Sequence, residues 1–349
     1  MTRSKTTSKG SKLSYEIKRL ELKHTFTIAR GSSDFKQNVI VTTEREGVIG
    51  YGEAAPSERY NETTESAIAV IEKAIPLFEK WNPWNYVDLG FAIQELDPAQ
   101  TAAKAALDIA LMDWVTKSMG LPFYRYLGLD KARAPITSFT IGIDTPEMIR
   151  QKVREAEPYP LLKIKVGTER DEEIIAAVRS VTDKPLIVDA NEGWKDKREA
   201  LERIKWLVSQ GVKVIEQPLP ASMLAETRWL RERAAIPIIA DESVKTSRDI
   251  PPLATAFDGI NIKLMKAGGL QEALRMIWLA RSLGMKVMLG CMVETSVAIS
   301  AAASISPLVD YADLDGNLLI ANDPFRGVTV EKGQLILNDN PGIGVTPRA

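Results

Sequence analysis

"PLIVDANEG", residues 185–193, runs Leu186, Ile187 and Val188 together without a polar residue and then closes on Asp189. Side chains alternate faces along a strand, so an apolar run of this kind is a strand covered on both sides. The same form recurs seven more times: "ITSFTIGI" (136–143), "LLKIKVG" (161–167), "VKVIEQPL" (212–219), "IPIIADES" (236–243), "GINIKLMKAGG" (259–269), "KVMLGCMVET" (286–295) and "YADLDG" (311–316). From Lys165 the closing polar residues advance by 24 to Asp189, 27 to Glu216, 25 to Asp241, 22 to Lys263, 28 to Cys291 and 22 to Asp313. Each step suits one strand, one loop and one helix. Eight such units predict an α/β fold, a (β/α)7β-type TIM barrel, with a doubly wound open sheet as the alternative. No Gly-rich phosphate loop follows the first strand, which argues against the open sheet.

Upstream the rhythm differs. "YEIKRLELK" (15–23) and "NVIVTTEREGVIGYGEA" (38–54), with a charged turn at Arg45 to Gly47, predict a small antiparallel sheet. "ESAIAVIEKAIPLFEKW" (65–81) and "AAKAALDIALMDWVTKSMG" (102–120) have helical spacing and predict amphipathic helices. Strands followed by helices suggest a separate α+β domain. The expected organisation is a tail over 1–12, an α+β capping domain over 13–125, the barrel over 126–322, and a segment over 323–349 that returns to the cap. "VTVEKGQLILNDNPG" (328–342) reads as a hairpin in that last segment.

The chain has 349 residues with 45 basic and 46 acidic side chains, a balance that gives no basis for a nucleic acid partner or an anionic membrane surface. No apolar run reaches the roughly 20 residues of a membrane span, and none of signal-peptide length follows the polar opening "MTRSKTTSKGSK". With a lone cysteine, Cys291, the expectation is a cytoplasmic protein, free to form a homo-oligomer. The lone histidine, His24, rules out chemistry built on a histidine pair, so acid/base work falls to Lys, Asp, Glu or Tyr.

Barrel active sites lie at the C-terminal ends of the strands, so the closing residues share one space. Singly, Asp189, Glu216 and Asp241 read as loop residues or helix caps. Together they close three consecutive strands, where three carboxylates repel one another unless a cation lies between them. Three oxygen ligands without histidine or thiol favour Mg²⁺, with Asn191 and Glu242 as partners that orient them. Lys163 and Lys165 stand two apart on one strand face, and Lys263 closes a strand across the barrel. Crowding beside a dication is expected to depress these lysines towards neutrality, as a base requires. Opposed lysines around a metal suggest proton removal from one face of a carbon and delivery to the other.

These residues resemble those of the enolase superfamily, in its muconate lactonizing enzyme subgroup, and within it the dipeptide epimerases of the L-Ala-D/L-Glu epimerase type. The resemblance spans about Tyr15 to Gly344. It implies that Lys165 and Lys263 are the acid/base pair, that Lys163 adjusts its neighbour and contacts the substrate carboxylate, and that Lys266 accompanies Lys263. It implies Asp189, Glu216 and Asp241 as Mg²⁺ ligands, and an enediolate formed at the Cα of the C-terminal residue. Asp313 and Asp315 would hold the free ammonium of a dipeptide, and Thr140, Cys291, Met292 and Glu294 would line the pocket. The family folds two loops over the barrel mouth, here "TIARGSSD" (27–34) and "EAAPSERYNET" (53–63), and Arg30 would meet an acidic substrate side chain. The expected setting is peptidoglycan peptide metabolism. Another dipeptide specificity, Ala-X or hydrophobic, is one alternative; a cycloisomerase or o-succinylbenzoate synthase of the same superfamily is the other.

Overall fold

The computed structural model describes residues 12–28, 31–80 and 82–348. It begins with an antiparallel sheet of β1 (Lys12–Ile28), β2 (Gly31–Arg45) and β3 (Val48–Ala54), in that order. β1 starts at Lys12, while residues 1–11 of the expected tail lie outside the described residues. The sheet extends further than expected. Most of the anticipated loop 27–34 is strand, with Phe26, Thr27 and Ile28 paired to Ser33, Ser32 and Gly31. Residues 22–25 leave that ladder, and there Leu22 bridges Ile320 and the Lys23 amide donates to the Leu319 carbonyl at 2.9 Å. β1 thus becomes a strap tied to the end of the barrel.

Three helices follow: α1 (Thr64–Lys80), α2 (Tyr86–Gln94) and α3 (Thr101–Ser118). α3 is not amphipathic, since every residue from Thr101 to Thr116 is buried. Its alanines let β3 lie so near that a Cβ on Gly52 would stand 1.9 Å from the Ala106 carbonyl. Its other side meets the helix Leu270–Ser282, where Asp108 accepts from the Leu270 amide and from Gln271 Nε2 at 2.7 Å. A helix wedged between two layers has no face left for water.

The barrel strands are β4 (Phe139–Ile141), β5 (Leu162–Lys165), β6 (Leu186–Asp189), β7 (Val212–Glu216), β8 (Ile238–Ala240), β9 (Gly259–Lys263), β10 (Lys286–Gly290) and β11 (Tyr311–Asp313). All pair in parallel and in sequence order. A parallel bridge from Thr137 to Ala312 and the Ser138 amide to Ala312 carbonyl bond (3.0 Å) join the first strand to the last. The open-sheet alternative is excluded by that closure.

Ile187, Val214, Ile239 and Met288 pack together in a buried cluster of their own, apart from the main core. Each of the first three lies two residues before Asp189, Glu216 or Asp241, so one apolar layer supports the carboxylates above it. The C-terminal hairpin, Thr329–Glu331 with Gln334–Ile336, docks at Ile136 and Thr137, at the start of β4. The segment reaches the cap on both sides of the hairpin: the Phe325 ring meets Tyr51 of β3 edge-on with centres 5.2 Å apart, and the Ile343 amide donates to Asp113 of α3 at 2.8 Å.

Candidate active site

Asp189 and Glu216 end β6 and β7 in register, and Asp241 follows β8. The three are at most 2% exposed, and each offers a carboxylate oxygen within 4.8 Å of the others. Burial, then the charge of Asp189, pushes Glu216 up to about 8. Burial would also raise Asp189 and Asp241, but the lysines beside them hold both below the usual carboxylate range. A central carboxyl raised between two that are lowered is what three carboxylates aimed at one point produce, and a hard divalent cation fits this all-oxygen set.

The loops after these strands are built tightly. Gly167 (φ +97°) and Gly193 touch, so that a Cβ on Gly193 would lie 2.4 Å from Gly167 Cα, and the chain after Lys165 rests on the chain after Asp189. Asn191 and Gln217 hold left-handed backbone at φ 44° and 35°. The Asn191 amide donates to Asp189 Oδ1 (2.9 Å) and its side chain to Glu242 Oε1 (3.1 Å). The Gln217 carboxamide accepts from the Asp241 amide (2.9 Å) and donates to the Leu219 carbonyl (2.9 Å), fixing Asp241 from the neighbouring strand.

β5 and β9 are the second and sixth strands, on opposite sides of the barrel. Lys165 Nζ is 2.6 Å from Asp189 Oδ2, and Lys263 Nζ is 2.9 Å from Asp241 Oδ2. Lys163 reaches deeper, to Glu216 Oε2 and Asp313 Oδ2 at 2.7 Å each and to Asp189 Oδ2 at 3.2 Å. Lys266 meets Asp241 Oδ1, the Asp241 carbonyl at 2.6 Å and the Asn261 carbonyl at 3.1 Å. With carboxylates alone around them, Lys163 and Lys263 do not show the depression expected beside a dication. Burial alone would lower them, but the surrounding carboxylates outweigh it and hold both well above the usual lysine range. Lys266 is the one lowered, chiefly by burial.

Beyond the metal-type cluster lies a second acidic pair. Asp313 is held by Lys163 and by Ser138 Oγ (2.6 Å), and Asp315 Oδ2 accepts from the Thr140 amide (2.6 Å). Burial and then Asp313 raise Asp315 to about 6, whereas lysine contacts keep Asp313 low against its burial. Cys291 Sγ sits 3.2 Å from the Asp313 carbonyl. Glu294 folds back to accept from the Met292 amide at 2.7 Å, and burial with the nearby Glu53 raises it to about 8.

The loop 53–63 is pinned at both ends. Glu53 accepts from Thr295 Oγ1 (2.6 Å) and from the amides of Thr295 and Ala298 at the start of the helix Ser296–Ile305, while Glu62 accepts from Thr101 Oγ1 (2.9 Å) at the start of α3. Between them Arg59 Nη2 donates to Glu192 Oε2 at 2.8 Å, and Lys245 Nζ lies 4.8 Å from the Tyr60 ring centre. The strap is fastened too, its Thr27 carbonyl accepting from the Ile143 amide at 2.9 Å. Arg30 lies outside the described residues.

Sequence reasoning passed over Ser138, Asn261, Gln217 and Tyr60. Ser138 precedes Thr140 by two, and Asn261, which donates to Glu216 Oε1 at 2.8 Å, precedes Lys263 by two. Both were findable by the strand period. Tyr60 sits on a loop whose course no sequence pattern sets.

Residues 147–349 match the family model described as enolase C-terminal domain-like, and residues 15–128 match that of the mandelate racemase/muconate lactonizing enzyme N-terminal domain. The chain is 49% identical to the L-Ala-D/L-Glu epimerase of Bacteroides thetaiotaomicron, over 95% of this chain and 86% of that one. Its fold superposes on the substrate-liganded L-Ala-D/L-Glu epimerase of Bacillus subtilis with a TM-score of 0.92 at 29% identity, covering 98% and 99% of the two chains. The dipeptide epimerase of Enterococcus faecalis, solved with Mg and L-Leu-L-Tyr, superposes with a TM-score of 0.91 at 33% identity, covering 97% and 99%. With both halves of the chain matched and the opposed lysines flanking three carboxylates, the chain belongs to the enolase superfamily, in its mandelate racemase/muconate lactonizing enzyme group.

Proposed function

We propose that this chain is a Mg²⁺-dependent dipeptide epimerase that inverts the Cα of the C-terminal residue, with L-Ala-D/L-Glu as its leading substrate. The observation that carries the reading is the placement of Lys165 and Lys263 at 2.6 and 2.9 Å from the two outer carboxylates of one buried cluster. A planar carbon held between them presents one face to each lysine. One lysine removes the Cα proton, and the other returns a proton from the opposite side. Mg²⁺ on Asp189, Glu216 and Asp241 would bind the substrate carboxylate as a Lewis acid, and its charge would offset the carboxylates that now hold Lys163 and Lys263 up.

Asp313 and Asp315 would receive the free α-ammonium, which places the first residue beside Thr140 and the second beneath the metal cluster. This clamp favours a substrate that carries a free ammonium over the substrates of a cycloisomerase, which lack one. The 49% identical relative supports Glu at the second position, where Arg30 would pair with its side chain. A cytoplasmic setting in peptidoglycan peptide metabolism, and self-association, are parts of the same proposal. The free Cys291 fits that setting, and no helix of the described residues is long and apolar enough to cross a membrane.

Incubating a dipeptide library with enzyme and Mg²⁺ in D₂O tests the reading by mass. Substrates gain one deuterium at the Cα of the second residue and appear as two epimers. A library with free amines and no exchange at all overturns it.

A further inference from the structure

Glu53 stands near the end of β3 and is fully buried, and Asn38 of β2 and Thr295 beside it are at most 2% exposed. Four donors converge on its carboxylate. Asn38 Nδ2 and the Thr295 amide donate to Oε1 at 2.8 Å each, and Thr295 Oγ1 (2.6 Å) and the Ala298 amide (3.1 Å) donate to Oε2. Glu53 belongs to the cap, whereas Thr295 and Ala298 open the barrel helix Ser296–Ile305. A carboxylate from one domain thus closes the N-terminus of a helix in the other, with an anion at the positive end of the helix dipole. Asn38 adds a second tie, since its Nδ2 also donates to the Val293 carbonyl at 2.9 Å, and the Val293 side chain packs with Leu20 of β1 and Ile320. A carboxylate accepts from all four donors, whereas the nitrogen of a carboxamide would face one of them.

The segment fastened in this way also supports the second acidic pair. Gly316 follows Asp315 so closely packed that a Cβ on it would stand 2.4 Å from the Met292 carbonyl and 3.1 Å from the Glu294 amide. The Cys291 thiol donates to the Asp313 carbonyl at 3.2 Å. Asn317 Nδ2 donates to Ser296 Oγ at 3.2 Å, and Ser296 donates to Asp323 Oδ2 through its hydroxyl (2.6 Å) and its amide (3.0 Å). The chain that bears Asp313 and Asp315 therefore leans on residues 291–296, and these lean on Glu53. Asp189, Glu216 and Asp241 take their supports elsewhere, from Asn191, Asn261 and Gln217.

We infer that Glu53 is a positioning residue for the ammonium site: from the capping domain it holds residues 293–298, and through them it fixes the backbone that carries Asp313 and Asp315. This rests on the proposed epimerase activity and adds a residue of the cap to those that decide where the dipeptide's amine sits. The ammonium does not react, so its contacts act alike in the ground state and the transition state. Displacing the clamp then weakens binding without slowing the chemistry.

The test sets the free-amine dipeptide best exchanged in the D₂O screen against its des-amino analogue, in which a propanoyl group replaces alanyl, used as a competitive inhibitor. Glu53→Gln, which keeps the size of the side chain, should raise KM for the dipeptide by about tenfold or more, with kcat within about threefold and Ki for the propanoyl analogue unchanged. Asn38→Ala, which cuts the tie to Val293 and one bond to Glu53, should move KM the same way by a smaller factor, and serves if the first variant fails to fold or turns over nothing. A fall in kcat and in the urea midpoint with KM held would make Glu53 a tie for stability alone and overturn the inference. A Ki that climbs in step with KM would put the disturbance at the metal-type cluster and overturn it as well. Wild-type enzyme that exchanges no dipeptide counts against the activity itself, a separate failure.

Discussion

Two lysine pairs flank the carboxylate cluster in parallel arrangements, and their deeper members are held in opposite electrostatic states. Asp189 carries Lys165 and Lys163, and Asp241 carries Lys263 and Lys266. In each pair one ammonium serves the mouth and the other sits deeper, 1% exposed. The deep members differ in partners. Lys163 faces three carboxylates and is held well above the usual lysine range, while Lys266 faces one carboxylate and two carbonyls and is lowered. Burial acts on both, so the number of anions decides the sign. Lys163 is a fixed charge that links the cluster to Asp313, and Lys266 is a brace for Asp241.

The mouth lysines give the largest effect. Lys165→Ala and Lys263→Ala should each lower epimerisation by about 10²- to 10⁴-fold, the range for loss of a positioned acid or base. Each variant should still exchange the Cα hydrogen of one epimer in D₂O, and the two should keep opposite epimers. If both keep the same epimer, the assignment of one lysine to each face is broken.

How far the sequence foretold this arrangement depends on the element. Lys163, Lys165 and Lys263 lie on strands, where a period of two fixes the face, and the register of β5 with β6 sets Lys165 beside Asp189. Lys266 lies past β9, in the single helical turn Leu264–Ala267, where the strand period says nothing. The depressed lysine values were reasoned for crowded ammonium groups beside a dication, whereas carboxylates alone hold Lys263 above the usual lysine range. α3 reads as amphipathic because Lys104, Asp108 and Asp113 interrupt it. Asp108 and Asp113 are buried because they accept from neighbouring amides, a fact of packing that no local pattern carries.

The deep pair supplies the next contrast, read as stability. Lys163→Met leaves Asp189 paired with Lys165 but strands the buried Glu216 and Asp313, and should cost about 3–5 kcal/mol. Lys266→Met leaves Asp241 paired with Lys263 and strands two carbonyls, so about 1–3 kcal/mol is expected. Urea unfolding of the two variants measures the gap. Equal losses would mean that the anion count does not separate the two sites.

The smallest effect is a matter of pH and lies in the second acidic pair, where the same rule of partners operates without a lysine on one member. Asp313 is kept low by Lys163 and stays ionised, while Asp315 rises to about 6 through burial and the charge of Asp313. A carboxyl with a raised value is neutral below it and anionic above it, and a cationic amine binds the anionic form. KM for a free-amine dipeptide should therefore be flat above about pH 6 and climb below it, by about tenfold at one to two units down, as the anionic fraction falls. Asp315→Asn should raise KM throughout and flatten that acid limb, since only the permanently ionised Asp313 then faces the amine. A limb that persists unchanged in the variant would assign the titration to another group and detach Asp315 from the ammonium.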